Sequence, residues 1–251
     1  MKKNSLLASI FGVGLMLVWP LAGSASSPDY DREKSWAAEI LPGLVVGDPV
    51  YLQTPRGHHK FLTLFTPASN SGRAVIVVHG LGIHPDWGMI GTLRSDLADK
   101  GFTTLSIQMP ILAADATGEA YPPTFPEAAE RLAEAVAFLK GKGYTHIAIV
   151  SHSMGARMSL VYLLGKPDPA VVAWASLGAS FKGYEPVKLP ILDLYGENDL
   201  PAVLSNAGPR KGSLTHPASK QRVLAKTDHF FTGHEGAMVA AVADFLKASL
   251  E

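Results

Sequence analysis

The sequence predicts an α/β protein in which a mostly parallel sheet is covered by helices on both faces. From residue 74 onward, apolar segments typical of buried strands alternate with segments whose apolar residues recur at helical spacing. The stretch "RAVIVVHG" at residues 73–80 is a continuous apolar run, as expected of a strand buried on both faces. The 251 residues, 47% of them hydrophobic, are ample for one sizeable core.

The segments that precede this strand predict an antiparallel edge. Residues 49–55, "PVYLQTP", and residues 59–68, "HKFLTLFTPA", read as two short strands around a turn at residues 55–57. Residues 26–43 read as a polar lead-in with little periodicity.

After the strand "RAVIVVHG" the helical and extended patterns alternate. Ile90, Leu93 and Leu97 predict a helix that ends at Gly101, and "FTTLSIQMP" predicts the next strand. A loop follows at residues 111–123. Residues 124–127 have the form of a capping box, in which Thr124 and Glu127 would each accept from an early backbone N–H of the next helix. The buried face of that helix would carry Leu132, Val136 and Leu139.

The second half continues in the same way. The predicted strands are "THIAIV", "AVVAWASLG", "KLPILDLYG" and "KQRVLAK", with a helix over Met154–Leu164 after the first of them. Met238, Val242 and Phe245 mark a closing helix.

The N-terminal residues are typical of a secretory signal peptide. Lys2 and Lys3 precede an apolar run over residues 6–18, Pro20 breaks it, and small residues follow. The run is shorter than the roughly 20 apolar residues that span a bilayer. We expect residues 1–25 to be removed, with cleavage after Ser24 or Ala25. The mature chain would be periplasmic or secreted, with no stable membrane anchor, and would consist of the lead-in (26–43) and one domain (44–251).

The amino-acid composition limits the partners and the catalytic or metal-binding groups that the chain can have. The 22 basic and 22 acidic side chains give no reason to expect a nucleic-acid partner. The sequence has no cysteine, which excludes disulfides, thiolate metal sites and a cysteine nucleophile.

His84 with Asp86, or His58 with His59, are possible metal ligands. Their spacing matches no zinc signature, so we predict no metal and no cofactor.

Residues 151–155, "SHSMG", join a predicted buried strand to a helix. This segment resembles the Gly-x-Ser-x-Gly nucleophile elbow of the α/β-hydrolase superfamily, which puts Ser153 in the position of the nucleophile. The positions two residues away must be small, because larger side chains would collide across the sharp turn. Gly155 fits this pattern. Ser151 departs from it, although serine is also small.

The rest of the resemblance covers about residue 74 to the C-terminus. The superfamily keeps the order nucleophile, acid, histidine. By that resemblance, Asp199 in "ENDLP" is the acid and His229 in "KTDHFF" is the base. Glu197 is a rival for the acid role, although Asp199 has the expected spacing after Gly196. Asp228, adjacent to His229, is poorly placed to orient the ring.

The segment "HGLGIHPDW", residues 79–87, resembles the oxyanion loop of the superfamily. The resemblance implies that the backbone N–H groups of Leu81 and Met154 form the oxyanion hole. We also expect Gly80, Gly82, Trp87 and His152 to be the substrate-binding residues. Together with "TLSIQMP", this segment is similar to sequences of exported, largely uncharacterised bacterial α/β-hydrolase-like proteins.

These features predict an exported serine hydrolase that cleaves a carboxylic ester, or a related acyl bond, through an acyl-serine intermediate. Its partner would be a small-molecule acyl substrate. The alternative is a non-catalytic binding or envelope-assembly protein on the same scaffold. Residues 111–123 and 200–219 are expected to shape the substrate site. Within the second segment, the charged or titratable residues Arg210, Lys211 and His216 could meet an acidic group or solvate a loop.

Overall fold

A single sheet organises the part of the chain that the computed structural model describes, residues 27–68 and 72–250. It has eight strands, in the order β1-β2-β4-β3-β5-β6-β7-β8. Strands β3 to β8 are parallel, whereas β2 pairs in antiparallel fashion with both β1 and β4. This confirms the mostly parallel sheet and its antiparallel edge. The strands are β1 (Asp48–Gln53), β2 (Lys60–Thr66), β3 (Arg73–Val78), β4 (Thr103–Ile107), β5 (His146–His152), β6 (Val171–Leu177), β7 (Ile191–Gly196) and β8 (Lys220–Leu224).

Helices cover both faces of the sheet. On one face, α3 and α4 pack on the alternate side chains of the central strands, and on the other face α2 and α7 do the same. Each central strand is therefore buried on both sides, which explains its unbroken apolar sequence. The helices are α1 (Tyr30–Ile40), α2 (Gly88–Asp99), α3 (Phe125–Gly141), α4 (Met154–Leu164), α5 (Pro201–Ser205), α6 (Ala207–Gly212) and α7 (Glu235–Ser249), with short 3₁₀ turns at Leu41–Gly43, Gly118–Ala120 and Pro122–Thr124.

The segment that precedes the first strand is more ordered than its sequence predicts. Residues 30–40 form helix α1, whose N-cap Asp29 accepts a hydrogen bond from the backbone N–H of Arg32 at 3.0 Å. Ala37 and Ile40 pack against β2. The buried face of α1 is narrow and includes a carboxylate, Glu33, so hydrophobic periodicity gives only a weak signal here.

The predicted capping box at residues 124–127 does not form. The hydroxyl of Thr124 donates to the carbonyl of Tyr121 at 2.8 Å, so it caps no N–H of α3. Glu127 instead binds Arg131, one turn further along the helix, and the hydroxyl of Tyr30. The tertiary partners of Glu127 therefore outcompete the local capping interaction.

Residues 200–219 contain the two short helices α5 and α6 rather than one open loop. The side chain of Arg210 is fully buried, and its Nε lies 3.0 Å from both carboxylate oxygens of Asp193. Arg210 therefore meets an acidic group of the protein itself, whereas Lys211 is exposed. This ion pair fixes the segment against β7 close to the end of the sheet where Asp199 lies.

No helix in the described ranges is long and apolar enough to cross a membrane. The predicted signal peptide, residues 1–25, lies outside the described residues.

Candidate active site

The candidate site begins at the carboxyl end of β5, where the chain turns sharply into α4. Ser153 stands at this turn with φ 54° and ψ −116°. A positive φ is costly for a residue with a side chain and persists only where the surroundings enforce it. A Cβ atom on Gly155 would lie 2.3 Å from the carbonyl oxygen of His79. Glycine is therefore required there for sterics, as the elbow pattern predicts.

Ser151 has a partner that the sequence does not reveal. Its buried hydroxyl accepts a hydrogen bond from the indole N–H of Trp174 at 2.8 Å. The Trp174 ring is fully buried and packs against Phe181 and Tyr184. The small serine thus fits the elbow and also satisfies a buried donor, which explains how this site tolerates a residue other than glycine.

The structure brings Ser153, His229 and Asp199 into one hydrogen-bonded row. Nδ1 of His229 lies 2.6 Å from Oδ1 of Asp199, and Nε2 lies 2.9 Å from the hydroxyl oxygen of Ser153. Because a carboxylate can only accept, the proton of neutral His229 sits on Nδ1, and Nε2 is free to accept from Ser153. Asp199 also accepts from the backbone N–H groups of Leu200 at 2.7 Å and Gly196 at 3.3 Å.

The two rival carboxylates have other partners. Glu197 is exposed and accepts from the backbone N–H of Lys226 at 2.8 Å. Asp228 accepts from the N–H groups of Thr232 and Phe230, and these hydrogen bonds hold the pKa of its carboxyl below the usual range. Asp228 therefore shapes the turn after His229, and Asp199 is the carboxylate that contacts the ring.

Residues 79–82, which we call the oxyanion loop, pass close to Ser153. A Cβ atom on Gly80 would lie 3.2 Å from the Cβ of Ser153, so a side chain at this position would crowd the nucleophile and glycine relieves that contact. In the described part of the chain, the N–H groups of Leu81 and Met154 make no backbone hydrogen bond. Neither N–H group is therefore engaged by a backbone carbonyl in this part of the structure.

His79 holds the oxyanion loop through a single tautomer. Its Nδ1 donates to the carbonyl of Gly80 at 2.8 Å, and its Nε2 accepts from the N–H of Met109 at 2.9 Å. Burial lowers the pKa of His79 to about 3, so the ring is neutral. The carbonyl of Gly80 and the N–H of Leu81 belong to one trans peptide and point in opposite directions. By fixing the carbonyl, His79 fixes the direction of the N–H.

His152 is a second buried, neutral imidazole. Burial, followed by the proximity of His229, lowers its pKa to about 3. Its Nε2 donates to the carbonyl of His229 at 2.9 Å, and the two ring centroids are 4.7 Å apart. His152 therefore anchors the backbone of His229 from the elbow side.

A cavity of about 230 Å³ opens next to Ser153. Leu81, Leu200 and Phe230 line it and are partly exposed at its mouth. Of the four predicted substrate-binding residues, Gly80 and His152 line the cavity, whereas Gly82 and Trp87 lie outside the lining. The ring of Trp87 packs edge-on against Phe230, with 5.2 Å between centroids, and so supports the cavity wall.

Two lining residues, Ile83 and Phe230, were not predicted, and a third, Leu200, was expected only as the start of segment 200–219, which was predicted to shape the site. Leu200 directly follows Asp199, and Phe230 directly follows His229. Asp199 and His229 belong to the hydrogen-bonded row that ends at Ser153. The residues that follow them therefore lie at the rim of the same cavity. Adjacency to the predicted triad was therefore the available signal.

The histidines considered as metal ligands have other contacts. His59 lies 3.1 Å from Glu33, and Nδ1 of His84 accepts from the N–H of Asp86 at 3.3 Å. Burial lowers the pKa of His84. Within the described ranges, no group of three or more histidine, cysteine, aspartate or glutamate side chains is arranged to hold a metal ion.

Residues 50–130 match the family described as protein of unknown function (DUF3530), in agreement with the predicted resemblance to uncharacterised α/β-hydrolase-like proteins. A comparison with curated proteins found no match.

Solved α/β-hydrolase structures superpose on most of the chain. A dienelactone hydrolase from Anabaena variabilis is 19% identical with a TM-score of 0.66, and the superposition covers 81% of this chain and 99% of that one. An esterase from Pyrococcus furiosus is 15% identical with a TM-score of 0.62, covering 82% and 98%. The esterase domain of a Rhodothermus marinus protein is 14% identical with a TM-score of 0.63, covering 81% and 99%. The protein therefore has the α/β-hydrolase fold.

Replacing His152 with glutamine should flatten the acid side of the stability profile. The pKa of His152 is about 3 in the folded chain, whereas an unfolded histidine titrates near pKa 6.5. Between these two pKa values the histidine binds a proton in the unfolded state but not in the folded state. The contribution of His152 to the free energy of unfolding is therefore complete above about pH 6.5 and declines as pH falls. Urea unfolding measured from pH 7 to pH 5 should show that the free energy of unfolding of the unsubstituted protein falls by up to about 1.4 kcal/mol per pH unit more than that of the variant. Parallel profiles would contradict a buried, neutral His152.

Proposed function

We propose that the protein is a serine hydrolase that cleaves a carboxylic ester through an acyl-Ser153 intermediate. The observation that carries this proposal is the row of hydrogen bonds from Asp199 through His229 to Ser153, with 2.6 Å and 2.9 Å between the bonded atoms. A serine hydroxyl is a weak nucleophile unless a base takes its proton, and this row supplies that base in the required tautomer.

The proposed reaction has two halves. The hydroxyl oxygen of Ser153 attacks the ester carbonyl while Nε2 of His229 takes its proton, and the imidazolium then protonates the departing alcohol. A water molecule then attacks the carbonyl carbon of the acyl-enzyme while Nε2 of His229 takes one of its protons. The imidazolium returns that proton to the Ser153 oxygen as the acyl–oxygen bond breaks, which releases the acid. In both halves the negative charge on the carbonyl oxygen would be stabilised by the N–H groups of Leu81 and Met154, at the N-terminus of α4.

The backbone at Ser153 favours an enzyme over the alternative of a binding or envelope-assembly protein. A φ of 54° at a serine that also bonds to a buried histidine is a strained arrangement. Such strain is concentrated at functional sites, where it serves to present a reactive group. The similar structures include two esterases and a dienelactone hydrolase, although at identities below 20% this similarity supports the fold alone.

The cavity favours an uncharged acyl group. Its lining residues include no lysine, arginine, aspartate or glutamate, and Leu81, Ile83, Leu200 and Phe230 supply most of the wall. Moving an ionised group from water into such surroundings is costly without a partner. We therefore propose that the substrate is an ester whose acyl chain is short, apolar and uncharged.

Loss of either partner of the nucleophile should almost abolish turnover. Ser153→Ala and His229→Ala should each lower kcat on the order of 10⁶-fold, because triad members act as a unit. For the same reason the double variant should be hardly worse than either single one. Steady-state hydrolysis of a chromogenic ester measures all three.

Two matched pairs of residues control this test. The first pair is the two serines: a fluorophosphonate should modify Ser153, as peptide mass spectrometry can show, and Ser151→Ala should keep most of the activity that Ser153→Ala loses. Asp199→Asn should impair turnover far more than Glu197→Gln, because only Asp199 contacts His229. Modification at Ser151, or an unlabelled folded protein that still hydrolyses the ester, would refute the mechanism.

The substrate class predicts a preference between two esters of the same alcohol. A butyrate ester should have a kcat/KM at least about tenfold higher than the hemisuccinate ester, since the second ends in a carboxylate that the cavity cannot pair. Leu200→Lys, at a lining position that is 50% exposed, should narrow or reverse this ratio. A native preference for the hemisuccinate would exclude the proposed class.

We also propose that residues 1–25 direct export and that the mature protein is periplasmic or secreted. The basic start, the apolar run and the small residues that follow support this proposal. N-terminal sequencing of the chain from its native host should find a start at Ala25 or Ser26. Recovery of the uncleaved chain from the cytoplasm would contradict export.

A further inference from the structure

A buried ion pair joins helix α1 to helix α3. The side chain of Arg131 is fully buried, and its two terminal nitrogens each lie 3.0 Å from a different carboxylate oxygen of Glu33. The two residues are 98 positions apart in the chain. Bidentate pairs of this kind fix the relative orientation of the elements that carry them.

The same guanidinium contacts the segment that directly follows β4 and holds the side chain of His79. Nη1 of Arg131, which binds Glu33, also donates to the backbone carbonyl of Gln108 at 3.0 Å. The Gln108 side-chain amide lies 3.1 Å from Nε2 of His79, and the N–H of Met109 donates to that same nitrogen. A continuous series of hydrogen bonds therefore leads from Glu33 to the imidazole that fixes the Gly80–Leu81 peptide.

Helix α1 also holds the residues that follow Met109. The N–H of Asp29 donates to the carbonyl of Ile111 at 2.7 Å, and Nη1 of Arg32 donates to that of Leu112 at 2.8 Å. With Arg131 at Gln108, residues 108–112 are held at three backbone carbonyls by α1 or by its ion-pair partner. The position of Met109, and hence of His79, depends on this helix.

We infer that Glu33 and Arg131 are positioning residues for the oxyanion hole, so that α1 belongs to the catalytic assembly. This inference rests on the proposed function. Arg131 is shared between two carboxylates, because Glu127 binds it from the more exposed side. Without the charge of Glu33, the attraction of Glu127 would draw the guanidinium away from the carbonyl of Gln108. Residues 108–109 would then loosen, and the Leu81 N–H would lose its fixed direction.

The test uses the full chain, with the active sites counted by fluorophosphonate titration so that loss of folded protein is not mistaken for loss of rate. Glu33→Gln and Arg131→Lys should each lower kcat per titrated site by about 10- to 100-fold. This decrease is no larger than the one that removal of a whole oxyanion-hole donor typically causes. KM should stay within about twofold. The affinity for a trifluoromethyl ketone, whose adduct carries the oxyanion, should fall in parallel with kcat.

Glu127→Gln is the matched control. It removes a carboxylate from the same guanidinium but leaves the bonds to Glu33 and Gln108, so kcat per site should remain within about twofold. If Glu33→Gln yields no titratable sites, Glu33→Asp replaces it, since aspartate keeps the charge and shortens its reach.

The outcomes separate the two proposals. Absence of labelling and turnover in the unsubstituted protein would overturn the proposed function. Normal labelling and turnover there, combined with unchanged kcat per site and ketone affinity in the Glu33 and Arg131 variants, would overturn only the positioning role.

Discussion

The sharp turn at Ser153 is the constraint on which the candidate site depends. At this turn Ser153 has a positive φ and its hydroxyl meets Nε2 of His229. The turn also brings Gly155 so close to the carbonyl of His79 that no side chain fits. The same closeness places the oxyanion loop beside the nucleophile. The parallel sheet maintains this arrangement, because β3 and β5 are adjacent and their carboxyl ends deliver the two segments to one edge. The cost of the strained turn is offset by the buried packing on both faces of the sheet.

The remaining groups reach the site along the same edge. Asp199 follows β7 and His229 follows β8, so strands that are adjacent in the sheet carry the carboxylate and the base. The backbone N–H groups of Gly196 and Leu200 donate to the carboxylate oxygens of Asp199 and hold the side chain in place. Asp228, although next to His229 in sequence, is bound to the turn that follows. The local hydrogen bonds that orient each carboxylate, rather than nearness along the chain, therefore decide which one meets the imidazole.

The sequence pattern was sufficient to predict the sheet and its antiparallel edge, whereas the grouping of Ser153, Asp199 and His229 came from the resemblance to the α/β-hydrolase superfamily. Buried parallel strands leave continuous apolar runs, and the elbow imposes local residue types, so both can be read from short segments. Helix α1 was missed because its buried face combines Ala37 and Ile40 with a charged residue, Glu33. The partner that makes this burial favourable, Arg131, is remote in sequence. Local patterns cannot indicate an interaction whose energy comes from a distant side chain.

Three imidazoles near Ser153 show how environment assigns different roles to one residue type. Burial holds the pKa of His79 and of His152 at about 3, so both are neutral hydrogen-bonding groups whose bonds anchor backbone carbonyls. His229 differs in having a carboxylate at 2.6 Å, which would stabilise the imidazolium formed when Ser153 gives up its proton. A second cation beside His229 would oppose that step by electrostatic repulsion. The neutrality of His152, 4.7 Å from His229, therefore spares the proposed base this repulsion.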